Sequence, residues 1–234
     1  MAVTKHNTLV DKINRIETGI KGFDQLIEGG IPEKSLILLS GVTGTGKSIF
    51  GMNYLVHGIK KGENGVYVSL QESIEETISE MNLFWPIKGM IKEEKLSIVQ
   101  PELYNFDALL TTIEDSIDKV KAKRLVIDSI SIIAMYFEDP FRIRKSLLTL
   151  ANLLKNLGCT TIAISQVTKG VSLYGVEEFV ADGVIKMYYM RTNSSFTRAL
   201  TVRKMRITNH SMNIHPVEIK EPEGIVVYPT KLKF

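Results

Sequence analysis

The run Gly41-Val42-Thr43-Gly44-Thr45-Gly46-Lys47-Ser48 constrains this chain more than any other stretch of its length. Its spacing is that of a phosphate-binding loop, two glycines five residues apart with Lys and Ser following. An apolar, β-branched segment at 35–40 precedes it and a segment of helical period at 48–60 follows, which is the strand–loop–helix setting the motif requires. A chance glycine-rich turn would lack those neighbours. Glycines let backbone N–H groups turn inward onto phosphate oxygens, and the N-terminal end of the next helix adds positive partial charge at the same place. On this reading Gly41, Val42, Thr43, Gly44, Thr45, Gly46, Lys47, Ser48 and Ile49 wrap the phosphates of a Mg-nucleotide. Lys47 bridges the β- and γ-phosphates and the Ser48 hydroxyl ligates Mg²⁺.

Further apolar runs at 65–70, 96–99, 124–128 and 160–165 read as strands, separated by stretches of helical period. Phe106, Leu109, Leu110, Ile113, Ile117 and Val120 recur at three-to-four spacing, as do Ile143, Leu147, Leu150, Leu154 and Leu157, and each set makes one buried helix face. Strands apolar along their whole length that alternate with such helices predict an α/β fold, a mostly parallel central sheet with helices on both faces. Ligands of such sheets bind at the carboxyl ends of the strands. After about residue 174 the pattern changes to strand candidates at 183–190, 197–205, 214–219 and 225–228, with turns at Asn193-Ser194-Ser195 and Glu223-Gly224. These predict a β-rich C-terminal extension of the sheet. With 234 residues, 44% of them hydrophobic, and no linker dividing two cores, one domain over 1–234 is expected.

Two more segments fall at the ligand-binding edge. Arg124-Leu125-Val126-Ile127-Asp128-Ser129 is an apolar strand ending in a carboxylate, and downstream of a phosphate loop Asp128 is expected to hold the metal's water shell. Hydrolysis also needs a group that orients and deprotonates water, and the strand ending at 70 leads into Gln71-Glu72. The same residues read equally as a solvated helix cap, with Ser73 leading into a helix at 74–81.

Composition excludes more than it identifies. Charged residues at 24% and aromatics at 8% argue against a disordered or fibrous chain. Residues 1–16 lack the apolar core of a secretory signal, and the longest apolar stretch, 125–137, contains Asp128 and is shorter than the roughly 20 residues that span a bilayer. A cytoplasmic protein without a membrane partner is expected. The one cysteine, Cys159, opens an apolar run and reads as a buried, inert thiol. His57 reads as packed or solvent-facing, His6 and His215 lack metal-ligand spacing, and Phe84-Trp85-Pro86 reads as an aromatic cap over the core edge. Net charge is a mild +3, yet Arg191, Arg198, Arg203, Lys204 and Arg206 crowd into sixteen residues, with Lys186 just upstream. Taken alone, that cluster is an exposed basic strand.

In order along the chain, Gly19-Ile20-Lys21-Gly22-Phe23-Asp24, Gly29-Gly30-Ile31-Pro32, the phosphate loop, Tyr67-Val68-Ser69-Leu70-Gln71-Glu72-Ser73, the Asp128 strand, Tyr174-Gly175-Val176-Glu177-Glu178-Phe179-Val180 and Lys204-Met205-Arg206 with His210 resemble the KaiC-like branch of the RecA/RadA ATPases. The resemblance implies a RecA-like P-loop NTPase core that assembles into a homo-oligomeric ring, often a hexamer, with ATP and Mg²⁺ between subunits. It implies that Lys204, Arg206 and His210 act in trans on the neighbour's nucleotide, and two cations spaced two apart on a strand do share a face. Lys47, Glu72, Gln71 and Asp128 are then the catalytic candidates, with Ser48 and Asp128 at the metal.

The chain departs from the family in places. Gln71 stands where members carry the first of two glutamates, the presumed base, and an amide orients water without accepting its proton. Ile207 stands where a glycine usually follows the arginine. Members with autokinase activity carry a Ser-Thr pair near the place of Glu178-Phe179, so that activity is not implied. The expectation is a slow, oligomeric, regulatory ATPase. One alternative is a DNA-binding recombinase relative, raised by Ser165-Gln166 and the basic strand and disfavoured by a short following loop with Lys169 as its one basic residue. The other is a nucleotide-binding switch with negligible hydrolysis, raised by Gln71.

Overall fold

Side chains alternate across a strand, so a strand apolar at every position must be covered on both faces. The computed structural model describes residues 13–101, 105–136, 139–168, 171–172, 176–192 and 195–230. In chain order its strands are β1 (Arg15–Ile16), β2 (Ile31–Pro32), β3 (Leu36–Gly41), β4 (Gly65–Ser69), β5 (Leu96–Val99), β6 (Arg124–Asp128), β7 (Thr160–Thr168), β8 (Val171–Ser172), β9 (Gly183–Thr192), β10 (Ser195–Met205), β11 (His215–Lys220) and β12 (Gly224–Val227). The helices are α1 (Lys47–Lys60), α2 (Ile74–Met81), α3 (Ile87–Lys92), α4 (Phe106–Val120), α5 (Pro140–Asn156) and α6 (Val176–Val180). Among the described residues the main sheet runs β12-β11-β10-β9-β3-β7-β6-β4-β5, with β8 paired to β7. From β9 to β5 all neighbours are parallel, and β10, β11 and β12 continue the sheet antiparallel.

The alternation sorts each strand into two cores. Ile37, Leu39, Tyr67 and Val126 join Phe50, Tyr54 and Leu55 of α1, whereas Leu36, Leu38, Val66, Val68, Leu125 and Ile127 join Leu109 and Ile113 of α4 and Leu147 and Leu150 of α5. The helices begin where their sequences stop competing with the backbone. Asn105 caps α4 by accepting from Ala108 N, and Asp139 caps α5 ahead of Pro140. Cys159 is buried as expected; its thiol donates to Ala122 O, and burial pushes its pKa up to about 11. Trp85 is buried beside Gly224, in keeping with an aromatic cap.

Most strand ends lie within two residues of expectation, except that β7 continues three residues past Ser165, so that Gln166 extends the sheet beside Gly41. Two points are corrected at the basic strand. A register shift between Val202 and Lys204 breaks the simple alternation of β10, and β10 ends at Met205, which leaves Arg206 in the following turn. Lys204 and Arg206 therefore do not share one strand face by period-two spacing. Asn193, Ser194, Lys169, Tyr174, Gly175 and His6 lie outside the described residues.

Candidate active site

The loop between β3 and α1 is shaped by its glycines. Gly44 and Gly46 have φ of 81° and 98°, the left-handed region that other residues adopt with strain. A Cβ on Gly46 would also come within 3.0 Å of Ile219. Gly46 is the N-cap of α1, and having no side chain it leaves the first-turn amides of Lys47, Ser48 and Ile49 free of a side-chain cap. The loop is tied from both sides. Thr45 Oγ1 and Lys47 Nζ both donate to Val42 O at 2.9 Å, while Tyr189 Oη and Arg198 Nε donate to Gly44 O. Lys47 is 9% exposed; burial lowers its pKa, and the charge of Asp128 partly opposes that shift.

Asp128 ends β6 as the sequence predicts, and β4 lies alongside with Ser69 level with it. One carboxylate oxygen, Oδ2, accepts from Ser48 Oγ at 2.6 Å and from Tyr67 Oη at 2.7 Å. The Tyr67 hydroxyl stays protonated because burial, then the adjacent Asp128 charge, raises its pKa well above the ordinary phenol value. Gln71 and Glu72 follow β4 in a bend held by Ser69 Oγ donating to Glu72 O at 2.7 Å. The cap of α2 is Ser73, in a reciprocal box with Glu76, so Gln71 and Glu72 are not the capping residues and both line the cavity. Burial raises the pKa of Glu72, and the charges of Glu80, Asp128 and Glu76 raise it further.

The cavity in front of these groups has a volume of about 520 Å³, within the range of small-molecule sites. Its lining brings together Lys47, Ser48, Gln71, Glu72 and Asp128. The residues suit a Mg-nucleotide: uncapped amides and Lys47 for phosphate oxygens, Ser48 and Asp128 for the cation. Mg²⁺ is typically held by one or two protein oxygens with phosphates and water completing the shell, and Ser48 and Asp128 would supply those oxygens here.

Gln166, raised from the sequence only with the recombinase alternative, and Arg198, read there only as part of a basic strand, also line the cavity. Gln166 donates from Nε2 to Thr43 Oγ1, and its backbone N–H is held by Ser131 Oγ at 2.9 Å. Arg198 lies over the Tyr189 ring, 5.3 Å from its centroid, at the cavity's rim. The sequence offered a partial signal for each, the Ser165-Gln166 pair and the basic cluster.

The candidates Lys204, Arg206 and His210 are elsewhere. Lys204 is level with Val184, which is level with Leu38 near the start of β3, and Arg206 N donates to Asp182 O. That is toward the amino end of the parallel strands: along the strand direction at 3.3 Å per residue, the level of Lys204 is about 10 Å and that of Asp182 about 16 Å back from Gly41. Lys204 Nζ donates to Glu178 O and Ala181 O, and burial, then Arg206, lowers its pKa. The Arg206 guanidinium is 62% exposed and 3.6 Å from Asp182. His210 is half-buried, its Nδ1 3.0 Å from Ser211 O. His57 pairs with Glu17 at 3.2 Å, away from the cavity. No helix among the described residues is long and apolar enough to cross a membrane.

Comparison with known proteins finds a family model described as the KaiC ATPase matching residues 16–232. A UPF0273 protein of Thermotoga maritima is 36% identical over 240 residues, covering 94% of this chain and 98% of that protein. The circadian clock protein KaiC3 of Synechocystis is 35% identical over 94% of this chain, which spans 46% of its length. Among solved structures, the crystal structure of a KaiC-like protein from the hyperthermophilic archaeon Pyrococcus horikoshii OT3 superposes with a TM-score of 0.86 at 43% identity, covering 93% of this chain and 100% of that one.

Proposed function

The chain belongs to the KaiC ATPase family, and from that premise we propose that it is a slow regulatory ATPase whose active site is shared between copies in a homo-oligomeric ring, a hexamer being expected. The observation that carries this reading is the separation of its charged groups. The phosphate loop, Ser48 and Asp128 line one cavity, while Lys204 and Arg206 lie at the opposite end of the same sheet and cannot reach it. A second copy, packed with its basic end against this cavity, supplies them. In a KaiC-family protein the nucleotide at that junction is ATP.

In this reading Lys47 and the first-turn amides of α1 bind the phosphates, and Ser48 with Asp128 holds Mg²⁺. When bound, Mg²⁺ offsets charge on the phosphate oxygens. The Gln71 amide orients the attacking water, and the Glu72 carboxylate, the nearer thing to a base on this bend, accepts its proton. The neighbour's Arg206 answers the charge that builds on the leaving phosphates. Turnover is slow because the position next to β4 that would hold a glutamate holds an amide.

Phosphate release measured across protein concentrations, with oligomer size recorded alongside, tests the reading, using wild type, Lys47→Ala as the zero and Gln71→Glu. Turnover that appears only where oligomers form supports a shared site; turnover in dilute monomer sinks it. A second reading, favoured by Gln71 at the cavity wall, is a nucleotide-binding switch. Wild-type turnover equal to that of Lys47→Ala, with activity restored by Gln71→Glu, selects the switch.

A further inference from the structure

Asp128 receives a hydrogen bond that the phosphate-loop motif does not supply. Tyr67 Oη donates to Asp128 Oδ2 at 2.7 Å, the same oxygen that accepts Ser48 Oγ at 2.6 Å. Tyr67 lies in mid-strand between Val66 and Val68, level with Val126 of β6 and 1% exposed. Asp128, two residues beyond Val126, projects from the same face. The phenol is long enough to span that diagonal, whereas a phenylalanine would fill the same apolar volume and leave Asp128 held from one side only.

We propose that Tyr67 is a positioning residue for the metal: it fixes the Asp128 carboxylate so that the Ser48 hydroxyl keeps its proton directed at Asp128 and its lone pairs toward the cation. This rests on the nucleotide reading above and names how the Mg²⁺ end of that site is held. Ser48 has one proton, and donating it to Asp128 turns both oxygen lone pairs away from the carboxylate. A carboxylate at a strand end rotates broadly about its last torsion, so one hydrogen bond from Ser48 does not fix Oδ2. The bond from Tyr67 does, because it comes from the neighbouring strand and the ring that carries it is packed in the core. Groups that orient metal ligands in this way typically change metal affinity by about 10- to 100-fold when removed.

The test is a Mg²⁺ titration of fluorescent ADP-analogue binding to the full chain, for wild type, Tyr67→Phe, Asp128→Asn and the double variant, with thermal melts of each. Tyr67→Phe is expected to raise the Mg²⁺ concentration for half-saturation by about tenfold or more, while analogue binding in EDTA stays within about twofold of wild type. The double variant should be no weaker toward Mg²⁺ than Asp128→Asn alone, since Tyr67 acts through Asp128. Tyr67→Met, which also lacks the hydroxyl, should reproduce the shift and serves if Tyr67→Phe does not fold. An unchanged Mg²⁺ half-saturation beside intact nucleotide binding, whatever the melting temperature, overturns this proposal alone. Additive losses in the double variant overturn it as well. A wild type that binds no nucleotide with or without Mg²⁺ overturns the nucleotide reading and this proposal together.

Discussion

At the carboxyl end of the parallel strands Lys47 is 9% exposed and bonded within its own loop, and the carboxylate whose charge acts on it, Asp128, is held by two hydroxyls. At the amino end Arg206 is 62% exposed and reaches Asp182 only at 3.6 Å. The first end encloses its charges around a cavity, and the second holds a guanidinium out toward solvent. An exposed ion pair at that distance contributes little to stability, on the order of 0 to 1 kcal/mol. The two ends differ as a pocket differs from a probe, and the proposed shared site would take one of each.

The largest effect should come from setting the ends against each other in mixed rings. Arg206→Ala is expected to lower turnover by about a thousandfold, the low end for a trans-acting arginine, with analogue binding retained, while Lys47→Ala loses both. Mixing the two dead proteins should restore measurable phosphate release, because an interface with Lys47 from one copy and Arg206 from the other is intact. No recovery on mixing would mean that the two ends never meet.

A smaller effect concerns pH at the cavity. A base must be ionised to accept a proton, and the pKa of Glu72 is raised by burial and then by Glu80, Asp128 and Glu76. Turnover should therefore fall, as pH is lowered, at a higher pH than an ordinary glutamate would give. Glu80→Gln removes the neighbouring charge that raises the Glu72 pKa most and should move that limb to lower pH. A limb that does not move argues for a different base.

The remaining predictions concern the amino end. Ile207 has a φ of 51°, a left-handed conformation that is strained for a β-branched residue, at the position where the family usually has glycine. Ile207→Gly relieves about 1–2 kcal/mol of strain and gives back about 0.5–1 kcal/mol in chain entropy, so chemical denaturation should report a net gain. A loss would mean that the Ile207 side chain contributes packing that outweighs the strain. The smallest effect is at Glu177 in α6, which is 5% exposed with Oε2 lacking a hydrogen-bond partner. Burial raises its pKa above the ordinary 4.5, so its ionisation opposes folding. The cost is absent below the unfolded-state pKa and grows as pH rises toward the folded-state value. Denaturation midpoints of Glu177→Gln relative to wild type should rise between acid and neutral pH; a pH-independent difference would contradict this.

What the sequence determined alone is what its neighbours in sequence enforce. The phosphate loop was legible because its conformation is set within eight residues by glycines at fixed spacing, and the alternating strands and helices because burial on two faces leaves no charged position in β3, β4 or β6 except the two ends of β6. The cap of α2 was only half legible, since Gln71, Glu72 and Ser73 are three polar residues in a row before the helix and only the backbone path after Ser69 assigns the box to Ser73 and Glu76. The tertiary structure alone decided which distant groups share an oxygen. Tyr67 meets Asp128 across 61 residues, Gln166 meets Thr43 across 123, and Arg198 meets Gly44 across 154. Those meetings follow from strand order and register, with β4 beside β6, β7 beside β3 and β9 between β3 and β10. Order and register are set by the packing of both cores at once, a sum over the whole chain that no local spacing encodes.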